Sequence, residues 1–226
     1  MLRAVIFDLD GTLYRSPQYV EAFYDSLLEL MGEKLGIGKE RAFKVFGEIR
    51  REDISIALAA EKLGEDASVL YNELARRLRP DKYIRRDPEL KKTLSKLRSC
   101  GLRLALLTNA GRSVALNVLE ALGLSTMRFD VIVTRDDITP KPSQQAFTAV
   151  VDRLQIQPAE AVYVDDLPKM LRQAKQLGMT TVLISDTEVR SDYVDAVIRS
   201  PLQLPALLRK SLNRYPQAPT GRDQPR

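Results

Sequence analysis

Short runs of consecutive apolar residues recur along the chain, each about the length of one strand and each followed by a helix-like repeat. The runs lie at 3–7, 102–107, 131–133, 161–164 and 180–184, with a weaker one at 196–198. Between them, apolar residues return every three or four positions, which is the spacing of one helical face. Leu90, Leu94 and Leu97 form such a face, introduced by Asp87-Pro88 and stopped by Gly101. Val114, Val118, Leu119 and Leu122 form the next, closed by Gly123. Phe147, Val150, Val151 and Leu154 form a third, and Leu171, Ala174 and Leu177, closed by Gly178, a fourth. Residues 202–212 predict a last helix. Strands apolar throughout need cover on both faces, and helices alternating with them supply it. The pattern predicts an α/β fold, a doubly wound parallel sheet with a Rossmann-like core.

One connection is far longer than a crossover requires. A βαβ unit needs about 30 residues, and the helix ending near Ser99 already suffices to link the first two strands. Residues 15–86 are surplus, and they too read as helical. Ser16-Pro17 starts a segment with Val20, Phe23, Leu27 and Met31 on one side, ending at Gly32. Ala42, Phe43, Phe46 and Ile49 mark a second, and Leu70, Leu74 and Leu78, ending at Pro80, a third. The expected organisation is a core of 1–14 and 87–212, an inserted all-helical lobe at 15–86, and a tail at 213–226. The aromatics Tyr19, Phe23, Tyr24, Phe43, Phe46 and Tyr71 read as the core of that lobe.

Composition narrows the chemistry. Of 226 residues, 44% are hydrophobic and 29% charged, which suits a soluble globular chain with a real core. No apolar run approaches the roughly 18 residues of a membrane span. Cys100 is the single cysteine, so no internal disulfide forms, and a reducing compartment fits. Met1-Leu2-Arg3 leads straight into a strand without a signal-like region. Together these predict a cytoplasmic protein. The sequence has no histidine, which excludes a histidine triad, a histidine-ligated zinc and a histidine base. The net charge is +5, but Arg209, Lys210, Arg214, Arg222 and Arg226 face Asp223 alone near the end. The rest is close to neutral, so no nucleic-acid partner is expected. The proline-rich tail reads as a solvated, frayed terminus.

Ligands of an open α/β sheet bind beyond the carboxyl ends of its strands. The first strand ends in Asp8-Leu9-Asp10-Gly11-Thr12-Leu13, where two carboxylates point the same way if the strand continues. Side by side they repel, unless a cation intervenes. The second ends in Thr108-Asn109-Ala110-Gly111, a hydroxyl and backbone N–H groups at a helix start, suited to an anion. Lys141 stands between two prolines that stiffen its backbone. The fourth strand ends in Asp165-Asp166, an acidic pair that a hard cation would neutralise. Each has a bland reading as a turn or helix cap. On one sheet edge, in this order, they match magnesium-assisted phosphoryl transfer to a carboxylate nucleophile.

The segment Asp8–Leu13, with Thr108-Asn109, Lys141 and Asp165-Asp166, resembles the four motifs of the haloacid dehalogenase-like hydrolase superfamily over about residues 3–185. The insertion resembles that superfamily's helical cap. Residues 10–14, 107–110 and 163–166 are most similar to its pyrimidine 5′-nucleotidase branch. The resemblance implies that Asp8 is the nucleophile and Asp10 the general acid and base. It implies that Asp8, the Asp10 carbonyl, Asp166 and Asp165 hold Mg2+, and that Thr108, Asn109 and Lys141 bind phosphate. The implied activity is hydrolysis of a small phosphorylated metabolite, such as a nucleoside monophosphate. A phosphosugar mutase, or a non-catalytic phosphate-binding scaffold, are the alternatives; carbon–halogen hydrolysis would not need Asp10 or the metal. Two positions depart from the pattern: Leu167 stands where many relatives have serine, and Met170 where many have Asp or Asn. The oligomeric state is left open.

Overall fold

In the computed structural model, residues 1–50 and 64–212 are described. The basic tail at 213–226, residues 51–63 of the expected lobe and the side chain of Ile49 lie outside the described residues.

Six strands form one parallel sheet: β1 (Ala4–Phe7), β2 (Arg103–Leu107), β3 (Val131–Val133), β4 (Ala161–Asp165), β5 (Thr180–Ile184) and β6 (Ala196–Ile198). Their order is β3-β2-β1-β4-β5-β6. The order reverses at β1, so β1 lies centrally between β2 and β4. Its register pairs Phe7 with Leu106 on one side and with Val164 on the other.

The period of two along each strand divides the core. Val5, Phe7, Leu104, Leu106, Val162 and Val164 point to one face, which is covered by α4 (Pro88–Ser99), α5 (Arg112–Ala121) and α8 (Leu204–Leu212). Ala4, Ile6, Ala105, Leu107, Ala161 and Tyr163 point to the other, covered by α6 (Gln144–Leu154) and α7 (Pro168–Gln176). This is the doubly wound arrangement expected from the sequence. The α4 helix starts as read: the Asp87 carboxylate accepts the Leu90 N–H at 2.9 Å, with Pro88 in the first turn.

Between β1 and α4 lie α1 (Pro17–Lys34), α2 (Lys39–Arg50) and α3 (Ala67–Arg77). Their buried residues, Leu27, Met31, Ala42, Phe46, Leu70 and Leu74 among them, run continuously into the apolar layer over α4 and α5. Three expectations fail here. Val20 is 46% exposed, because Tyr19 turns inward from the same helical turn. Phe43 is 65% exposed while Ala42 and Phe46 are buried, so it is no part of the core. The first helix runs past Gly32 to Lys34; a Cβ at Gly32 would lie 2.7 Å from the Ile37 carbonyl, so this glycine serves a close approach rather than a stop. The last helix is also shorter than read, since Pro201–Gln203 forms a separate single turn before Leu204. No helix among the described residues is long and apolar enough to cross a membrane.

Candidate active site

At the carboxyl end of β1 the strand stops at Phe7, and the Asp8 N–H makes one last ladder bond to the Val164 carbonyl at 3.0 Å. The alternation therefore does not carry on to Asp10, contrary to the reading of two carboxylates facing the same way. Asp8 is buried; Asp10 is exposed and sits on a turn bridged to Tyr14. Gly11 makes that turn with φ +83°, in the left-handed region that glycine favours. A Cβ there would lie 2.2 Å from Asp166 Oδ2, so Gly11 also lets the Asp166 carboxylate approach the β1 turn.

The register puts Asp8 next to Asp165, the last residue of β4. Lys141 reaches between them. Its Nζ donates to Asp8 Oδ1 at 2.7 Å, to Asp165 Oδ2 at 2.9 Å and to the Tyr163 hydroxyl at 2.9 Å. The Lys141 side chain is 3% exposed and that of Asp165 fully buried. Three donor protons meet three acceptors, so the ammonium is saturated. The backbone of Lys141 is fixed by a reciprocal pair with Asn109: its N–H donates to Asn109 Oδ1 at 2.7 Å, and Asn109 Nδ2 donates to its carbonyl at 2.9 Å.

Asp8, Asp165 and Asp166 can each offer an oxygen within 4.8 Å of the others. The cluster thus sets three carboxylates against one ammonium. The consequences are visible in the proton affinities. Burial pushes the Asp8 carboxyl well up; Lys141 opposes this, and Asp165 and Asp10 add to it. Burial and the neighbouring Asp165 raise Asp166 to about 6. Burial pulls Lys141 down, but Asp165 and Asp8 more than offset it, and it stays a cation. Asp10 is open to solvent on one side but crowded by protein on the others. That desolvation raises it, against the Tyr14 hydrogen bond and Lys141. Oxygen donors in negative excess are the set a hard divalent cation takes. The carboxylate of Asp10 is not part of the cluster.

The β2 end is more occupied than the sequence suggests. Thr108 is buried, and its Oγ1 accepts the Ala110 N–H at 3.1 Å. The Arg112 N–H at the start of α5 donates to Asp136 Oδ2 at 2.7 Å. Two of the backbone donors expected for an anion are therefore engaged within the protein, and the Asn109 side chain holds Lys141. Leu167 is 44% exposed, and its backbone N–H donates to Asp165 Oδ1 at 2.8 Å, so the main chain makes a bond to the carboxylate at that position. Met170 is buried in the α6–α7 layer.

Two residues were missed. The Tyr163 hydroxyl accepts from Lys141 and donates to Asp165 Oδ2, and its ring packs edge-on against Phe147 at 5.0 Å. The available signal was one polar tip in the otherwise aliphatic run 161–164. The Tyr14 hydroxyl donates to Asp10 Oδ1. Its signal was a tyrosine four residues beyond the acid.

Residues 5–184 match the family model described as haloacid dehalogenase-like hydrolase. The chain belongs to this family. A solved haloacid dehalogenase-like phosphatase from Thermococcus onnurineus is 31% identical, with a TM-score of 0.72 over 92% of this chain and 98% of that one. A glyceraldehyde 3-phosphate phosphatase of Methanopyrus kandleri is 28% identical over 85% of this chain and 90% of its own length. A phosphoglycolate phosphatase of Rhodospirillum rubrum is 30% identical over 82% of this chain and 80% of its own. For a haloacid dehalogenase-like hydrolase, the acidic cluster and Lys141 lie on the sheet edge where the topology reverses.

Proposed function

We propose that the protein is a magnesium-dependent phosphatase that hydrolyses a small phosphomonoester through an aspartyl-phosphate on Asp8. The observation that carries this reading is the buried Asp8–Lys141–Asp165 arrangement with Asp166 alongside. It is too costly to keep for structure alone, because three carboxylates share one ammonium. The names of the relatives support a short phosphorylated acid or sugar as substrate. The nucleoside monophosphate reading rests only on the short segments at 10–14, 107–110 and 163–166.

In this mechanism Lys141 holds Asp8 Oδ1, which fixes the carboxylate plane and leaves its other oxygen to attack phosphorus in line. Lys141 also faces the charge that develops on the transferring group. Asp10 gives its proton to the leaving oxygen and then takes one from the water that cleaves the acyl phosphate. A raised proton affinity suits both tasks. Tyr14 keeps Asp10 in place through its hydroxyl. Thr108 and the backbone at Asn109 complete the phosphoryl cradle. Asp8, Asp166, Asp165 and the Asp10 carbonyl would hold Mg2+, which supplies electrostatic stabilisation of the phosphoryl group when bound. The insertion at 15–86 acts as a cap that excludes water and selects the leaving group.

The test is phosphate release from an aryl phosphate and a panel of phosphorylated metabolites, with magnesium and with EDTA. Activity is expected only with the metal, and Asp8→Asn lowers it by about 10⁴-fold or more while the protein stays folded. Equal turnover in EDTA, or in Asp8→Asn, removes the proposal. Isomerisation of a phosphosugar without phosphate release would assign a mutase, and binding without turnover a scaffold.

A further inference from the structure

Two carboxylates at the ends of neighbouring strands compete for one ammonium. Lys141 Nζ reaches Asp8 at 2.7 Å and Asp165 at 2.9 Å, so neither bond dominates by its length. The Asp165 side chain is fully buried and has no water to turn to, so it draws on the donors around it. Two of these are neutral: the Leu167 N–H, 2.8 Å from Oδ1, and the Tyr163 hydroxyl on Oδ2. Tyr163 precedes Asp165 by two residues in β4, so the period of two puts both side chains on one face of the sheet. The single proton of the phenol goes to Asp165, and its oxygen is left to accept the third proton of Lys141 at 2.9 Å. Burial and the charge of Asp165 push the phenol well up, so it keeps that proton. The ring is fixed as well: it is fully buried and packs edge-on against Phe147 of α6.

A phenylalanine would fill the same space against Phe147 with no polar tip to satisfy, so packing alone does not account for the hydroxyl. The oxygen adds two things. It is a third fixed contact for an ammonium that would otherwise turn on its flexible stem, and it is a neutral donor that meets part of the demand of Asp165. We infer that Tyr163 is a positioning residue for the nucleophile: by taking the third ammonium proton and serving Asp165, its hydroxyl keeps Lys141 on Asp8 Oδ1 and leaves the other Asp8 oxygen free to attack. The inference rests on the phosphatase reading and deepens it, because it adds to that reaction a residue that acts through Lys141.

The experiment uses Tyr163→Phe, which keeps the ring and removes the oxygen. In single-turnover reactions with an aryl phosphate and magnesium, release of the aryl group reports attack by Asp8. The saturating rate is expected to fall by about 10- to 100-fold, while the half-saturating concentration stays within about twofold. A merely structural role would leave the rate within about twofold of native, or would raise the half-saturating concentration as far as the rate falls; either result overturns the inference. A second measurement reads Lys141 without turnover, through its ammonium proton–nitrogen NMR signal, assigned as the one lost in Lys141→Arg. Three hydrogen bonds should slow its exchange with water enough for the signal to be seen in the native protein, and Tyr163→Phe should quicken that exchange by about tenfold or more. A native signal that exchanges too fast to be seen, or equal exchange in both proteins, also overturns the inference. Failure of the phosphatase reading shows separately, as no release from any compound by the native protein. The ammonium signal then decides alone: equal exchange rejects the role of Tyr163, and faster exchange in Tyr163→Phe keeps it as the residue that holds Lys141 on Asp8.

Discussion

At the carboxyl end of the sheet, Lys141 is 3% exposed at its side chain and clasps Asp8 and Asp165; at the amino end, Arg3 meets Glu160 at 3.4 Å with side chains 49% and 24% exposed. Both ends bring opposite charges together across β1 and β4. The amino end even has a hollow of about 520 Å³, lined by Arg3, Asp152, Gln155, Ile156, Gln157 and Glu160. Yet the Arg3–Glu160 pair keeps its contact with water, so it costs little and contributes little. At the carboxyl end, charges are desolvated in negative excess, and the raised carboxyls of Asp8 and Asp166 record that cost. The contrast teaches that a site in this fold is marked by unfavourable electrostatics held in place by packing, and not by the size of a cavity.

Four measurements break or sharpen that contrast. The largest effect is expected from Lys141→Met, which strands two buried carboxylates. It should lower the unfolding free energy in urea, measured in EDTA, by about 3–5 kcal/mol, and abolish phosphate release in the presence of magnesium. A loss below about 1 kcal/mol would put the two ends on the same footing. Next, Gly11→Ala forces a Cβ against Asp166 at a φ of +83°. It should cost about 1–3 kcal/mol and raise the magnesium concentration needed for half-maximal activity.

A smaller effect tests a carboxylate that is well satisfied. Asp137 accepts the Thr134 N–H and hydroxyl at 2.8 and 2.7 Å and pairs with Arg112 at 2.7 Å. Although burial pushes it up, these partners hold its carboxyl below the ordinary range. A depressed folded value means that the unfolded chain binds the proton first. Its stabilisation is therefore full above about pH 4 and lost as pH falls further through the lower folded value. Asp137→Asn should cost about 1–2 kcal/mol at pH 7 and flatten the acid limb of the urea midpoint against pH. The smallest effect is at the amino end, where Glu160→Gln should leave the urea midpoint nearly unchanged, the more so in high salt.

The legible part of the site was its residue types and their order. Asp8, Thr108, Asn109, Asp165 and Asp166 announce themselves because each comes at the end of an apolar run, and strand ends of a parallel sheet share an edge; Lys141 is marked by the prolines on either side of it. Tyr163 was hidden for the opposite reason: its ring belongs to the buried face with Phe147, and only its hydroxyl reaches the cluster. Asn109 could be named but its task could not, since the reciprocal bonds to Lys141 join residues 32 apart in the chain. Val20 and Phe43 misled because a helical stripe shows which residues can share a face, but not how wide the covered strip is.

The chain's own pattern determined the parallel sheet, its cover on both faces, the surplus between β1 and α4, and the acids and lysine at the strand ends. Those depend on periods of two and 3.6, which are local. The strand order with β1 between β2 and β4, the meeting of Lys141 with Asp8 and Asp165, and the seating of Tyr71 on Gly111 came only from the tertiary structure. They join segments far apart in the chain, where proximity follows from packing the whole core, and no local period encodes it.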